Sequence, residues 1–231
     1  MAYVQKGKGK HLLLLHGYLS SKEAFAAQME YFSKFFRVTA IDFLGFGHTM
    51  ALTSAFSVDD YAKWLIEVMA ALKLKRPHVI AHSFGCRVAV KAASQNARLF
   101  DKIVLTGPAG IIINRGLKYK CKVWLYRFVK RFFPRFAEKR FGSKEYRTLS
   151  PIMKESYKKI VNEDLRDCAS RVENAVLIVE GDRDTVTTMQ EAKVYENAFP
   201  NAKLVVIPGG HFAFAEQPMQ FHLAVEEFLY G

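Results

Sequence analysis

Apolar residues along the chain fall in six short continuous runs, each closed by a glycine-bearing turn. They are HLLLLHG (11–17), FRVTAIDFLGFG (36–47), HVIAHSFG (78–85), KIVLTGPAG (102–110), AVLIVEGDRD (175–184) and AKLVVIPGGH (202–211). Runs without polar alternation mark strands covered on both faces, as parallel strands beneath helices are. Between them, helical spacing predicts helices over 20–34, 58–73, 84–96, 187–198 and 217–229. Ser57-Val58-Asp59-Asp60 has N-cap chemistry for the second, and Pro218 suits the first turn of the last. This alternation predicts an α/β fold: an open, mostly parallel sheet with helices on both faces.

One stretch breaks the rhythm. About 65 residues between the turn at 106–110 and the strand at 175 carry no strand pattern. Leu117, Cys121, Trp124, Leu125, Phe128 and Phe132 recur at helical spacing before Pro134, and Ser150-Pro151 reads as an N-cap and first-turn proline opening a helix to about Val161. The expected organisation is a core of 1–110 and 171–231 interrupted by a helical cap at 111–170.

Charge adds a second reason to separate that insertion. The 231 residues hold 34 Lys+Arg against 22 Asp+Glu, a net of +12. Residues 115–147 alone hold twelve basic and two acidic side chains (Glu138, Glu145), a net of +10, which leaves +2 for the rest. No nucleic-acid partner is expected from a charge so localised. Interleaved Tyr119, Trp124, Tyr126, Phe128, Phe132 and Phe133 give the segment the look of an interfacial helix, so peripheral contact of 115–147 with an anionic membrane stands beside the plainer reading of a solvated cap face.

Other classes drop out on simple grounds. Three cysteines with no CxxC pair encode neither a disulfide framework nor a zinc knuckle. The four leucines after KGKGKH are too few for a signal-peptide core, and no run approaches the ~18–20 apolar residues that span a bilayer. A cytoplasmic protein is expected. GKGK at 7–10 lacks the phosphate-loop spacing, and His11, His78 and His222 show no ligand spacing, so neither cofactor nor metal is expected.

The reactive residue types collect just after the strands, where open α/β sheets place their ligands. In AHSFG (81–85), Ser83 sits on a strand-to-helix turn with small residues two positions either side, the requirement of a nucleophile elbow. A serine hydroxyl needs a base oriented by an acid. GDRD offers Asp184, with Asp182 as runner-up, and GGHF offers His211. The backbone N–H groups of Tyr18, after the first strong strand, and Phe84, after the serine, are the natural oxyanion-hole pair. His16 and His82 read as structural supports, His48 as a loop residue that borders the pocket or the surface, and Cys86 as a small buried apolar group.

With HG at 16–17, DxxGxG at 42–47, AHSFG at 81–85, GDRD at 181–184 and GGHFAFAEQP at 209–218 all in order, the chain resembles the α/β-hydrolase superfamily, in the serine branch with a helical cap. The resemblance implies Ser83 as nucleophile, His211 as general base and Asp184, three residues after Gly181, as the orienting acid. It implies hydrolysis of a small or medium-chain carboxylic ester or thioester through an acyl-enzyme. Lipid-directed hydrolysis at an anionic membrane and C–C bond hydrolysis are the alternatives; a non-catalytic binding module fits poorly with a complete triad. Trp124, Phe128 and Phe212 are candidate pocket residues. Three departures stand out: Ala81 replaces the first elbow glycine, Cys86 stands where a second glycine often follows, and residues 1–7 supply at most one short strand where relatives carry two, so the sheet is expected to be truncated at that edge. Oligomeric state is not encoded in any of these motifs.

Overall fold

The computed structural model of this chain describes residues 1–113, 146 and 148–231. Seven strands form one sheet: β1 (Tyr3–Lys6), β2 (His11–Leu15), β3 (Arg37–Ile41), β4 (His78–His82), β5 (Ile103–Thr106), β6 (Val176–Gly181) and β7 (Ala202–Ile207), in the order β1-β3-β2-β4-β5-β6-β7. All neighbours are parallel except β1, which runs antiparallel to β3 with Tyr3 opposite Ile41. The N-terminal residues thus give one short edge strand, with all four residues exposed.

Alternation divides the core in two. Along β2, Leu13 and Leu15 face one apolar cluster while Leu12 and Leu14 face the other, and all four are fully buried. The first face is covered by α2 (Val58–Ala71), α3 (Phe84–Gln95) and α6 (Met189–Ala198), the second by α1 (Ala26–Phe32), α7 (Ala213–Glu216) and α8 (Pro218–Tyr230). Each fully buried leucine contributes roughly 1.5–3 kcal/mol, which is why uninterrupted leucine runs lie in the centre of the sheet. The helix signals hold in detail. Ser57 and Asp60 form a reciprocal capping box on α2, and Pro218 lies in the first turn of α8.

Within the expected insertion, α4 (Pro151–Val161) starts where Ser150 accepts a hydrogen bond from the Met153 N–H, and α5 (Arg166–Ala169) follows. Ile160, Leu165, Cys168 and Ala169 join the same apolar cluster as α3 and β6, and the Ser156 hydroxyl bonds the backbone of Phe56. Residues 151–170 are therefore packed on the core. Trp124, Phe128 and most of the basic segment 115–147 lie outside the described residues. No helix among the described residues is long and apolar enough to cross a membrane.

Candidate active site

The turn after β4 is built around a strained serine. Ser83 has φ 48° and ψ −105°, a conformation that costs a non-glycine residue on the order of 1–3 kcal/mol. The strain is held by hydrogen bonds on both sides, Ser83 N–H to Thr106 O at 3.1 Å and Cys86 N–H to Ser83 O at 3.1 Å. Close approach does the rest. A Cβ on Gly85 would lie 2.4 Å from Leu15 O, so only glycine lets α3 start this near to β2. Ala81 is fully buried in the same turn and is accommodated there. The Cys86 thiol donates to Ala81 O at 3.1 Å, and complete burial pushes its pKa up, so it acts as an inert core group.

Asp184 and His211 meet beside this turn. His211 Nδ1 lies 2.7 Å from Asp184 Oδ2, so Nδ1 carries the proton and Nε2 is left as the imidazole's free acceptor. The carboxylate is wholly buried, yet its oxygens also accept the Val186 and Thr187 amides at 2.7 and 3.0 Å and the Thr187 hydroxyl at 2.9 Å. Burial opposes ionisation, but the hydrogen bond and charge of His211, with these further donors, hold the Asp184 pKa at about 2. Asp182, the alternative in GDRD, instead accepts the Gly209 N–H at 2.8 Å and shapes the loop before the histidine.

That loop is pinned from several directions. Glu216 accepts the Gly210 N–H at 2.8 Å, and a Cβ on Gly181 would lie 2.3 Å from Gly210 O. His82 supports the histidine from below: its Nε2–H donates to His211 O at 2.9 Å, and its ring packs against Phe212 and Phe214. Burial, then the charge of His211, drives the His82 pKa down to about 3, so the ring is neutral. Its Nδ1 faces Gly17, where an added Cβ would come within 2.8 Å. His16 is likewise fixed as a neutral tautomer, Nδ1–H donating to Gly17 O and Nε2 accepting from Phe43 N–H.

Ser83, His211, Tyr18, Phe84 and Phe212 line one cavity of about 730 Å³. Phe84 opens α3, where a backbone N–H has no intrahelical acceptor. Four side chains on the cavity wall are exposed and apolar: Leu19, Ile112, Val186 and Phe212. His48 is not part of the wall; it lies exposed beside Lys22. Glu23, Asp42 and His48 bring three potential metal ligands together, but the Lys22 ammonium lies 2.8 Å from both Glu23 and Asp42 and already pairs with them.

The family model for the alpha/beta hydrolase fold matches residues 10–152. The chain belongs to the alpha/beta hydrolase fold family. Within that family it is 28% identical over 244 residues to the human serine hydrolase BPHL, covering 98% of this chain and 82% of that protein. It is 36% identical over 83 residues to (E)-2-((N-methylformamido)methylene)succinate hydrolase of Acinetobacter baylyi, a match spanning 36% of this chain and 32% of that enzyme. Among solved structures, a hydrolase from Pseudomonas aeruginosa shares the fold at 21% identity, with a TM-score of 0.79 over 99% of this chain and 94% of that one. Family and relatives together make the protein a hydrolase.

Two contributors near the site escape a strand-end motif search. Thr187 touches both Asp184 and His211 Nδ1, the latter at 3.2 Å; its position three residues after the aspartate is the available signal. Arg87 borders the cavity from α3, one helical turn after Ser83, a spacing that places both on one helix face.

Proposed function

We propose that this alpha/beta hydrolase is a serine hydrolase that cleaves a small or medium-chain carboxylic ester or thioester through an acyl-enzyme. The observation that carries this reading is the 2.7 Å Asp184–His211 pair facing the same cavity as the strained Ser83 turn. In this reading His211 Nε2 takes the Ser83 hydroxyl proton as Oγ attacks the acyl carbon. The amides of Tyr18 and Phe84 receive the oxyanion, and His211 returns the proton to the leaving alkoxide or thiolate. Water, deprotonated by the same nitrogen, then releases the acid. Asp184 stays ionised throughout and holds the imidazole tautomer. A serine nucleophile also suits C–C bond cleavage in which His211 protonates the departing carbanion.

A panel of p-nitrophenyl esters of increasing acyl length tests the proposal. Ser83→Ala should lose turnover by at least about a thousandfold with an unchanged Tm; activity equal to wild type would reject it. A lipid-directed form of this chemistry draws on two features: the exposed apolar rim (Leu19, Ile112, Val186, Phe212) and the basic, aromatic sequence of 115–147. Co-sedimentation with anionic but not neutral vesicles would support it, and equal partitioning would remove it.

A further inference from the structure

Among the described residues, Arg87 is the one buried arginine, and no carboxylate pairs with it directly. It is only 8% exposed and borders the cavity that contains Ser83 and His211. Its Nη1 donates to Ile160 O at 2.9 Å and Glu163 O at 2.8 Å, which ties the C-terminal end of α4 to α3. Those two bonds use both Nη1 protons. Among the described residues no carboxylate lies within salt-bridge distance of the guanidinium, and the Nε–Nη2 edge donates to none of them. The nearby acids are committed elsewhere: Glu163 to Lys91 at 2.8 Å, and Asp164 to the Ile112 amide at 2.8 Å and to Arg166. Glu191, also on the cavity wall, turns Oε2 to the Thr188 N–H in the capping box of α6.

A buried guanidinium with no directly paired carboxylate is costly; among the described residues Glu163 and Asp164 act on Arg87 only through space, and the two backbone carbonyls occupy only its Nη1 protons. The edge left over presents two parallel N–H groups, the fork that matches a carboxylate bidentately. We propose that Arg87 is a carboxylate-recognition residue and that the substrate's acyl portion ends in a carboxylate, making it a monoester or monothioester of a short dicarboxylic acid. Arg87 lies four positions after Ser83, a rise of ~6 Å at helical spacing, so a carboxylate there is spaced from the scissile carbonyl by a short chain. Resting on the serine-hydrolase reading, the inference narrows its substrate class.

The test compares mono-4-nitrophenyl succinate, glutarate and adipate with their methyl-capped neutral counterparts. Wild type should prefer at least one free acid over its capped form by tenfold or more in kcat/KM, mainly through KM. Arg87→Met should cut that ratio at least tenfold, and Arg87→Lys, which keeps the charge but loses the fork, should retain part of it. Because the ratio is taken within each variant, a general disturbance of α4 cancels. Should Arg87→Met fail to fold, the wild-type ratio and the Arg87→Lys ratio decide alone. Calorimetric binding of glutarate to Ser83→Ala, abolished in Ser83→Ala/Arg87→Met, reads the anion site without turnover. A wild-type ratio near one, or a ratio unchanged by Arg87→Met, overturns the proposal while leaving the serine-hydrolase reading intact. Arg87-dependent glutarate binding with no ester turnover would do the reverse.

Discussion

Two buried carboxyl groups, Glu180 near the end of β6 and Asp184 in the loop that follows, are held in opposite protonation states. Asp184 is surrounded by donors and stays ionised to about pH 2, whereas Glu180 is fully buried with neither carboxyl oxygen hydrogen-bonded. Burial, and then the negative charge of Asp184, raises the Glu180 pKa to about 9, so it folds as the neutral acid. Different predictions follow for each. Asp184→Asn should keep the fold but present the wrong side of an amide to His211, favouring the other tautomer. A kcat loss on the order of 10⁴ is expected, and a kcat within tenfold of wild type would remove Asp184 from the mechanism. For Glu180 the unfolded chain ionises near 4.5 and the folded chain only near 9, so folding takes up a proton in between. Its contribution to stability is intact below pH 4.5 and declines towards pH 9 by about 1.4 kcal/mol per unit. Glu180→Gln abolishes that decline. Its Tm relative to wild type should climb steadily from pH 5 to 8.5 in thermal denaturation scans; parallel curves would show that Glu180 is already ionised in the fold.

At the level of elements, the two small residues of the elbow do different work. At Gly85 an added Cβ meets backbone oxygen of β2 at 2.4 Å, an obstacle that no side-chain rotation relieves. Gly85→Ala should therefore push α3 off β2, lower the Tm by several degrees and abolish esterase activity together. Ala81→Gly restores the commoner elbow residue but only empties a filled position, at a cost of roughly 0.5–1 kcal/mol; activity within threefold of wild type is expected. A large gain in kcat from Ala81→Gly would mean that the alanine distorts the turn. This contrast also explains what could be read in advance. Six strands were legible because β2, β4 and β6 are buried on both faces and so are nearly all apolar, with His78, His82 and Glu180 as buried polar exceptions. The positions of Ser83, Asp184 and His211 were legible because each follows a strand end. Thr187 and Arg87 were not, since a threonine in a turn and an arginine on a helix are ordinary until the partners they face are known. The packing of α4 and α5 was hidden for a related reason: Leu165, Cys168 and Ala169 make a short apolar patch whose partner surface lies some 80 residues upstream on α3.

The molecule as a whole is electrically lopsided, and its charge bears on how a substrate reaches the cavity. Residues 115–147 hold +10 of the net +12, while Ile113 at one end and Tyr146 at the other both line the cavity wall. The described residues at either end of the basic stretch thus both meet the cavity. Concentrated positive charge around a binding site raises the local concentration of anions and accelerates their capture by 10-fold or more at low ionic strength, and the sequence gathers its positive charge in this one stretch. The Debye length shrinks from about 30 Å at 0.01 M salt to about 3 Å at 1 M, so the field should be felt well outside the cavity in dilute buffer and hardly at all in concentrated salt. For an anionic ester, kcat/KM should fall at least fivefold across that range, while the capped neutral ester changes less than twofold. Neutralising charge should reproduce the effect without salt: Lys118→Gln, Lys120→Gln and Lys122→Gln combined should lower kcat/KM for the acid at 0.01 M and flatten its salt dependence. The buried Arg87 lies beyond the reach of bulk ions, so the acid-over-neutral preference should persist at 1 M in reduced form. If salt instead erases the preference altogether, recognition resides in the exposed basic segment; if salt changes neither substrate, the segment has no part in substrate capture.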